Sequence, residues 1–216
     1  ATGALSNYLG IEGEKEYWSR GVTNCAVCEG ALYKNKDVCV VGGGNSAITE
    51  AEYLAGLARS VTVFVRGSTL RATDRRKEDL MRMENVKFVY NTSLKKIEGN
   101  GEAVTHITIG NSATGAQQTI HMDAVFLAIG FTPNTAFFKS ALQLDKAGYI
   151  VRTKDQETSI PGIFAVGDVT DPVYKQAVTA AGDGCRAALQ TQAFLSACKY
   201  VPQVQGQENQ QPVDRV

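Results

Sequence analysis

Short apolar runs separated by glycines and polar turns make up most of the chain up to residue 90. Runs rich in β-branched residues predict strands at residues 38–41, 61–65 and 86–90. Apolar residues at helical spacing predict a helix over residues 45–57, and a second helix is expected over residues 73–84 with Thr73 or Asp74 as its N-cap. Alternating strands and helices are typical of an α/β fold with a parallel sheet.

The pattern changes after residue 90. Polar turns at Asn100-Gly101 and Thr114-Gly115 separate three short apolar segments, which predicts an antiparallel meander inserted into the parallel fold. The three strands are expected at residues 94–98, 104–109 and 118–122. A fully apolar run at residues 124–129 predicts a buried strand that returns to the main sheet.

A second unit is expected beyond residue 134. Residues 148–151 and 163–166 have the apolar character of strands, and the alanine-rich residues 174–195 predict a helix. Residues 200–216 are rich in Gln, Asn and Pro with few apolar anchors, so a disordered tail is expected there.

Composition narrows the possible functions. Lys+Arg and Asp+Glu both count 22, and this zero net charge does not indicate a nucleic-acid or membrane partner. No apolar run approaches the roughly 20 residues that span a bilayer, and no signal peptide is visible. An odd number of cysteines with a single C-x-x-C indicates a reducing compartment, so we expect a cytoplasmic protein, with an organelle as the alternative. The cysteines are Cys25, Cys28, Cys39, Cys185 and Cys198.

The run Gly42-Gly43-Gly44-Asn45-Ser46-Ala47 follows a predicted strand and opens a predicted helix, which is the context of a dinucleotide-binding turn. Gly42 allows the tight turn, and Gly44 lets a pyrophosphate approach the backbone. Ala47 lets the helix and the strand pack closely. The N–H groups at the start of the helix would face the phosphates.

Two arginines indicate which nicotinamide nucleotide is bound. Arg66 follows the second predicted strand, where an NAD site usually carries an acidic residue, and Arg71 lies five residues later. Two guanidinium groups suit a 2′-phosphate, which favours NADPH. The alternative is that both are solvated loop arginines, as we predict for Arg75 and Arg76.

Cys25 and Cys28 form the C-x-x-C motif, which is typical of a redox pair or of a metal site. One such motif and two histidines offer too few ligands for a four-cysteine zinc site, so no metal is predicted. Glu29 follows directly and is placed to exchange a proton with a thiolate. Of the other cysteines, Cys39 is predicted to be buried and inert in its strand, and Cys185 to be a small packed residue.

In their order and spacing these motifs resemble those of low-molecular-weight thioredoxin reductases, from Ala1 to about Leu195. The matching segments are Ala1-Thr2-Gly3-Ala4, Gly21-Val22, Cys25 to Gly30, Gly42 to Ala47 with Glu50, Ala128 to Thr135, Thr158 to Val169, and Tyr174 to Ala177.

The resemblance implies a Rossmann-like three-layer NADPH-binding domain inserted in a partial FAD-binding domain of the same type. Residues 1–8 would end a first FAD segment, residues 9–131 would form the NADPH domain with the dithiol, and residues 132–199 would form the C-terminal FAD segment. In the nucleotide domain the expected cofactor contacts are Gly42, Gly44, Asn45, Ser46, Ala47, Glu50, Arg66, Arg71, Ile129 and Gly130. The expected FAD contacts are Gly167, Asp168, Lys175, Gln176 and Ala177.

The resemblance also implies the activity of a thioredoxin-disulfide reductase. Electrons would pass from NADPH through FAD to Cys28, and Cys25 would attack the disulfide of thioredoxin while Glu29 protonates the leaving thiolate. Full-length members are typically homodimers. Two alternatives stay open: a flavin-free NADPH-binding fragment or regulatory remnant, and a related flavoprotein reductase with a peroxiredoxin-type partner.

The chain departs from the family pattern in three places. It lacks the N-terminal FAD segment, which makes FAD binding by this chain alone an open question. It carries Glu29 where members usually have aspartate. It also carries Gly67 where the second arginine of the 2′-phosphate loop is expected, although Arg71 is retained.

Overall fold

The computed structural model describes residues 1–198, which divide into two units. The larger unit runs from Ser6 to Thr132, and the smaller contains Ala1–Leu5 and the chain from Pro133 onward. The predicted tail at residues 200–216 lies outside the described residues. The assignment of the two units to NADPH and FAD stays a prediction.

The elements are numbered in chain order. The strands are β1 (Ala4–Ser6), β2 (Val22–Thr23), β3 (Asp37–Val41), β4 (Ser60–Phe64), β5 (Val86–Val89), β6 (Thr92–Gly99), β7 (Val104–Asn111), β8 (Gln117–His121), β9 (Ala124–Leu127) and β10 (Phe131–Pro133). The α-helices are α1 (Ala26–Glu29), α2 (Asn45–Ala55), α3 (Arg76–Leu80) and α4 (Ala177–Ala197).

A five-stranded parallel sheet lies at the centre of the larger unit, in the order β2-β9-β3-β4-β5. The register places Val38 beside Val61 on β4 and beside Ala124 on β9. β9 is buried along its whole length, which confirms that the apolar run returns to the main sheet. The α/β class predicted from the sequence is therefore confirmed.

Both faces of this sheet are covered. On one face α2 packs Ile48 and Leu54 against Val40 and other strand residues. On the opposite face Cys39 and its neighbours pack against apolar side chains of β6 and β7. Burial on both sides explains why β3 from Val38 onward and the whole of β9 are continuously apolar instead of alternating. Cys39 is fully buried, as predicted, and burial raises the pKa of its thiol.

The antiparallel meander is confirmed. β6 pairs with β7 and β7 with β8, and the turns lie at the predicted Asn100-Gly101 and Thr114-Gly115. His106 and His121 face each other across β7 and β8 and are exposed.

Two helix predictions have different outcomes. α2 begins at Asn45 as predicted and ends two residues early, at Ala55. The second helix was predicted over residues 73–84, but α3 is confined to Arg76–Leu80. The predicted extent is wrong at both ends. Before α3, the side chain of Asn45 accepts from the backbone N–H groups of Thr73 and Asp74, which belong to the loop.

The smaller unit contains less regular structure than predicted. The strands expected at residues 148–151 and 163–166 are wrong, since both segments form only single bridges, Leu144–Ile150 and Glu157–Phe164. The long helix is confirmed as α4, beginning at Ala177. Cys185 lies on α4 and is exposed, so its predicted packed role is wrong. In the part of the chain that the structure describes, no helix is both long and apolar enough to cross a bilayer.

Candidate active site

The glycine turn between β3 and α2 is built around the absence of a side chain at Gly42. A Cβ there would lie 2.4 Å from the carbonyl oxygen of Ala128 and 3.2 Å from Cβ of Ala47. The Gly42 N–H donates to the carbonyl oxygen of Phe64 at 3.1 Å. Only glycine fits this close approach of three backbone segments.

Gly44 has the opposite environment. A Cβ at this position would meet no atom within 4 Å, so the space beside it is open. Asn45 and Ser46 in the first turn of α2 are exposed beside it. An open space at the start of an eleven-residue helix is the geometry in which N–H groups and the helix dipole receive a phosphate.

The arginine loop after β4 is tied to the glycine turn. The backbone N–H groups of Arg71 and Ala72 both donate to the carbonyl oxygen of Gly43, at 2.8 and 3.0 Å. The Asn45 carboxamide oxygen accepts from the N–H groups of Thr73 at 2.8 Å and Asp74 at 3.2 Å. The sequence placed Asn45 in the turn but gave no sign of this second role, because its partners lie 28 and 29 residues away.

Arg66 and Arg71 are exposed on this loop. Neither forms an ion pair with a carboxylate among residues 1–198. Arg76, in contrast, pairs with Asp74 and Glu52. The two arginines predicted to contact a phosphate thus have no carboxylate partner among residues 1–198, a property that they share with Arg75.

The segment after β9 lies beside the same turn. The Ala128 N–H donates to the Val41 carbonyl oxygen at 2.9 Å, which brings the chain leading to Ile129 and Gly130 close to Gly42. Gly130 has φ +90°, which favours glycine, and its carbonyl oxygen accepts from the Asn7 N–H at 3.1 Å.

Glu50 lies one turn into α2 with its carboxyl group shielded. Its Oε2 atom is buried and has no hydrogen-bond partner among the described residues. Burial raises the pKa of Glu50 to about 8, so this carboxyl group is largely protonated at neutral pH. This burial could not be predicted, because the pattern of α2 places Glu50 next to the apolar face without showing what covers it.

The dithiol occupies the start of α1, where Cys25 and Cys28 form a disulfide with their Cα atoms 5.3 Å apart. Cys25 is the N-cap, and its Sγ accepts from the Cys28 N–H at 3.2 Å. Cys25 is half-buried and Cys28 exposed. A donor aimed at Sγ of Cys25 stabilises negative charge there when the disulfide opens.

Glu29 is held in place by a residue that the sequence did not single out. The Thr23 hydroxyl donates to Glu29 Oε1 at 2.9 Å. Burial raises the pKa of the neighbouring Tyr33, and the charge of Glu29 adds to this. The hydrogen bond from Thr23 therefore fixes the carboxyl group of Glu29, the residue that directly follows Cys28 in the chain.

The dithiol segment packs on the same helix that leaves the glycine turn. A Cβ at Gly30 would lie 3.1 Å from both Leu54 Cδ2 and Tyr53 Cε1 of α2. The structure thus brings together in one unit the cysteines, Glu29, the glycine turn with Glu50, the two arginines, and the Ile129-Gly130 segment.

The residues expected to contact FAD lie in the smaller unit. Gly167 has φ +72°, and a Cβ there would lie 3.2 Å from Cβ of Ala180 on α4. Asp168 follows in a 3₁₀ turn, half-buried, and its negative charge acts on Lys175. Gln176 is the N-cap residue of α4 and Ala177 its first residue.

Asp171 is a residue of this segment that the sequence analysis missed. Burial would raise the pKa of Asp171, but the N–H groups of Tyr174, Lys175 and Val173 donate to its carboxylate and hold the pKa below its usual range. Its position before Pro172 is a turn signal that could have identified it. Burial lowers the pKa of Lys175, against the opposing charges of Asp171 and Asp168.

Comparison with known proteins finds a family whose model matches this chain. The model of the pyridine nucleotide-disulphide oxidoreductases matches residues 1–184. The thioredoxin reductase of Dictyostelium discoideum is 43% identical over 199 residues, covering 91% of this chain and 62% of that protein. The thioredoxin reductase of Coxiella burnetii is 41% identical over 203 residues, covering 90% of this chain and 63% of that protein.

Solved structures give the same result. Thioredoxin reductase from Streptococcus pyogenes superposes with a TM-score of 0.84 at 39% identity, and that from Giardia duodenalis with 0.84 at 40%. Each comparison covers 90% of this chain and 64% of the other. The chain therefore spans less than two thirds of the length of these relatives.

Proposed function

Since the chain belongs to the pyridine nucleotide-disulphide oxidoreductase family, we propose that it is the dithiol-bearing part of an NADPH-dependent thioredoxin-disulfide reductase. The observation that carries this proposal is the Cys25–Cys28 disulfide on α1, packed against the helix that leaves the glycine turn. One unit thus combines a reducible disulfide with a candidate site for the nucleotide that supplies the electrons.

The larger unit fits NADPH. The open space beside Gly44 leaves room for the pyrophosphate, and Arg66 and Arg71 carry unmatched positive charge for a 2′-phosphate. Asn45 holds the loop between these two subsites.

The smaller unit contributes groups that suit FAD. The half-buried carboxylate of Asp168 is the group that would accept a hydrogen bond from a ribityl hydroxyl. A bound flavin supplies the chemistry that turns a hydride into an electron pair for the disulfide. Lys175 and Gln176 would lie against it.

The chain's own residues would carry the later steps. Two electrons open the Cys25–Cys28 bond, and the Cys28 N–H stabilises a thiolate at Cys25. This thiolate attacks one sulfur of the thioredoxin disulfide, and the other sulfur leaves as a thiolate that takes a proton from solvent through Glu29. Cys28 then gives up its proton and attacks Cys25 in the mixed disulfide, which restores the Cys25–Cys28 bond, and the second thioredoxin sulfur takes up that proton as the dithiol is released.

Three further features belong to the proposal. The full-length form would be a homodimer, which its mass in solution tests. The compartment would be cytoplasmic, in keeping with free thiols at Cys39, Cys185 and Cys198 beside a single short-range disulfide. The reducible partner would be thioredoxin, the substrate named for the relatives above.

The visible absorption spectrum of the purified chain, before and after anaerobic NADPH, tests the proposal. A flavin band that bleaches, with two new titratable thiols, supports reduction of the dithiol. In the Cys25→Ser variant NADPH should produce no new titratable thiols. The Cys185→Ser variant should gain two, as the wild type does. Nucleotide binding without flavin would favour the flavin-free alternative for this chain, and no nucleotide binding would overturn the proposal.

A further inference from the structure

We infer that Lys77 is a third cation of the site for the 2′-phosphate of NADPH, and that it acts from a cavity between the arginine loop and α3. This inference rests on the proposed function and adds a specificity-determining residue to it.

This cavity is a shallow pocket, open to solvent over much of its surface, with a volume of about 250 Å³. Because a water molecule takes up about 30 Å³ in the liquid, there is room for a phosphate group and part of a ribose. Its lining combines hydrogen-bond donors with apolar surface. The lining residues are Ser68, Thr69, Leu70, Lys77, Met81 and Tyr90.

Lys77 is half-buried at this cavity and its charge is unmatched. Its Nζ donates to the carbonyl oxygen of Ala72 at 3.2 Å, which fixes the ammonium group beside the loop. An ammonium group has three donors, so this contact leaves two available. Within the described chain no carboxylate forms an ion pair with Lys77. Arg76 and Arg82 on either side are paired, with Asp74 and Glu52 and with Asp79.

The position of the cavity relates it to the nucleotide turn. Ser68 and Thr69 lie between Arg66 and Arg71, and the N–H of Arg71 donates to the carbonyl oxygen of Gly43. The loop that lines the cavity is therefore attached to the turn that would hold the pyrophosphate. A nucleotide seated on that turn would direct its adenosine end towards this loop.

Lys77 differs from the other unpaired cations of this segment. Between residues 66 and 80 the cations without an ion pair in the described chain are Arg66, Arg71, Arg75 and Lys77, and of these Lys77 alone lines the cavity. The hydroxyl groups of Ser68 and Thr69 add neutral donors, which suits a phosphate monoester.

Isothermal titration of the full chain with adenosine 2′,5′-bisphosphate and with 5′-AMP tests the inference. The two probes differ in the 2′-phosphate. Lys77→Gln should weaken binding of the bisphosphate about tenfold, the size expected for losing one hydrogen bond between charged groups, and should leave 5′-AMP within about twofold. Lys77→Arg should retain most of the affinity for the bisphosphate.

Lys87→Gln is the matched control, since Lys87 is an exposed lysine on β5 outside the cavity and its loss changes the net charge equally. Equal effects of Lys77→Gln and Lys87→Gln would overturn the role of Lys77. Equal weakening of both probes by Lys77→Gln would place the common adenosine in the cavity and overturn the phosphate assignment. If wild type binds neither probe, the proposed nucleotide site itself fails, and with it this inference.

Discussion

Gly42 and Gly44 lie two residues apart in one turn and are needed for different reasons. At Gly42 the protein itself occupies the space, with the Ala128 carbonyl oxygen 2.4 Å from an added Cβ. At Gly44 no protein atom lies within 4 Å of an added Cβ, so the space is kept for something else. The first glycine is a requirement of folding and the second a requirement of binding.

Alanine substitutions separate these two requirements. Gly42→Ala should lower the melting temperature by several degrees, because the carbonyl group of Ala128 has to move. Gly44→Ala should leave the melting temperature within about one degree and weaken NADPH binding about tenfold or more. Thermal unfolding followed by circular dichroism, with titration of NADPH, measures both. A Gly44→Ala variant that binds NADPH as wild type does would refute this assignment of the turn.

Glu50 makes stability depend on pH. Its pKa is raised by burial from 4.5 to about 8, so the folded state holds a proton that the unfolded state has lost between these values. The sign follows from this difference: the free energy of unfolding should fall as pH rises from about 4.5 to about 8, and level off above.

Glu50→Gln should remove this dependence. The amide has no charge to desolvate, so the variant should be more stable than wild type at pH 8 and about equal at pH 4.5. Urea unfolding midpoints at the two pH values provide the measurement. Glu52→Gln is a control on the same helix, because the side chain of Glu52 is 41% exposed. The prediction fails if wild type and Glu50→Gln show parallel pH profiles.

At the scale of elements, Asp37 links the beginnings of three strands. Its carboxylate accepts from the Arg59 guanidinium and the Ser60 hydroxyl at the start of β4, and its own N–H donates to Asp123 Oδ2, next to β9, at 2.8 Å. The Arg59 hydrogen bonds lower the pKa of Asp37 to about 2, against the effect of burial.

Because this pKa is lowered from 3.8, the contribution of Asp37 is present above about pH 4 and is lost as pH falls through about 2. Asp37→Asn should therefore destabilise the protein at about pH 6 and converge with wild type near pH 2. Urea unfolding across this range measures it. A constant difference between the two proteins at all pH values would contradict the prediction.

The central elements could be predicted from the sequence, because burial on both faces makes β9 and residues 38–41 of β3 continuously apolar. The start of α3 could not, since the residues before it make long-range contacts with Asn45 that the local pattern does not show. Residues 148–151 and 163–166 have strand-like composition, but a strand also needs a partner, and each segment meets its partner at a single bridge. At these two segments the prediction rested on local strand propensity, whereas a strand forms only where a neighbouring strand pairs with it.

The residues of the candidate site also fall into a group that could be predicted from the sequence and a group that could not. The cysteines and the glycine turn are contiguous motifs whose chemistry follows from spacing, so the sequence identified them. Thr23, which orients Glu29, and Asn45 in its second role depend on where other segments lie. Lys77 was missed because nothing in the order of residues shows that Arg76 and Arg82 form ion pairs and that Lys77 does not.

At the scale of the whole molecule, the two ends of the larger unit meet. The Asn7 N–H donates to the Gly130 carbonyl oxygen at 3.1 Å, and the Thr132 hydroxyl donates to Asn7 Oδ1 at 2.8 Å. The unit also contains its own two apolar clusters, one on each face of the sheet. These are the properties of a domain inserted at one point of another.

Residues 6–132 should therefore fold when expressed alone. We expect cooperative thermal unfolding, a Cys25–Cys28 disulfide reducible by dithiothreitol, and NADPH affinity within about threefold of the whole chain. Calorimetry and titration of the isolated unit measure these properties. Non-cooperative unfolding, or loss of nucleotide binding, would show that the unit depends on the rest of the chain.

The closeness of these ends has a consequence for engineering. Placed in a surface loop of an unrelated host, the folded unit would hold the two host strands close together and cost the host little. Unfolded, it would become a long flexible loop whose closure entropy the host has to bear. A nucleotide that binds only the folded unit would then stabilise the host as well, in proportion to the logarithm of its concentration. The inserted unit would therefore report the nucleotide concentration through the stability of the host protein.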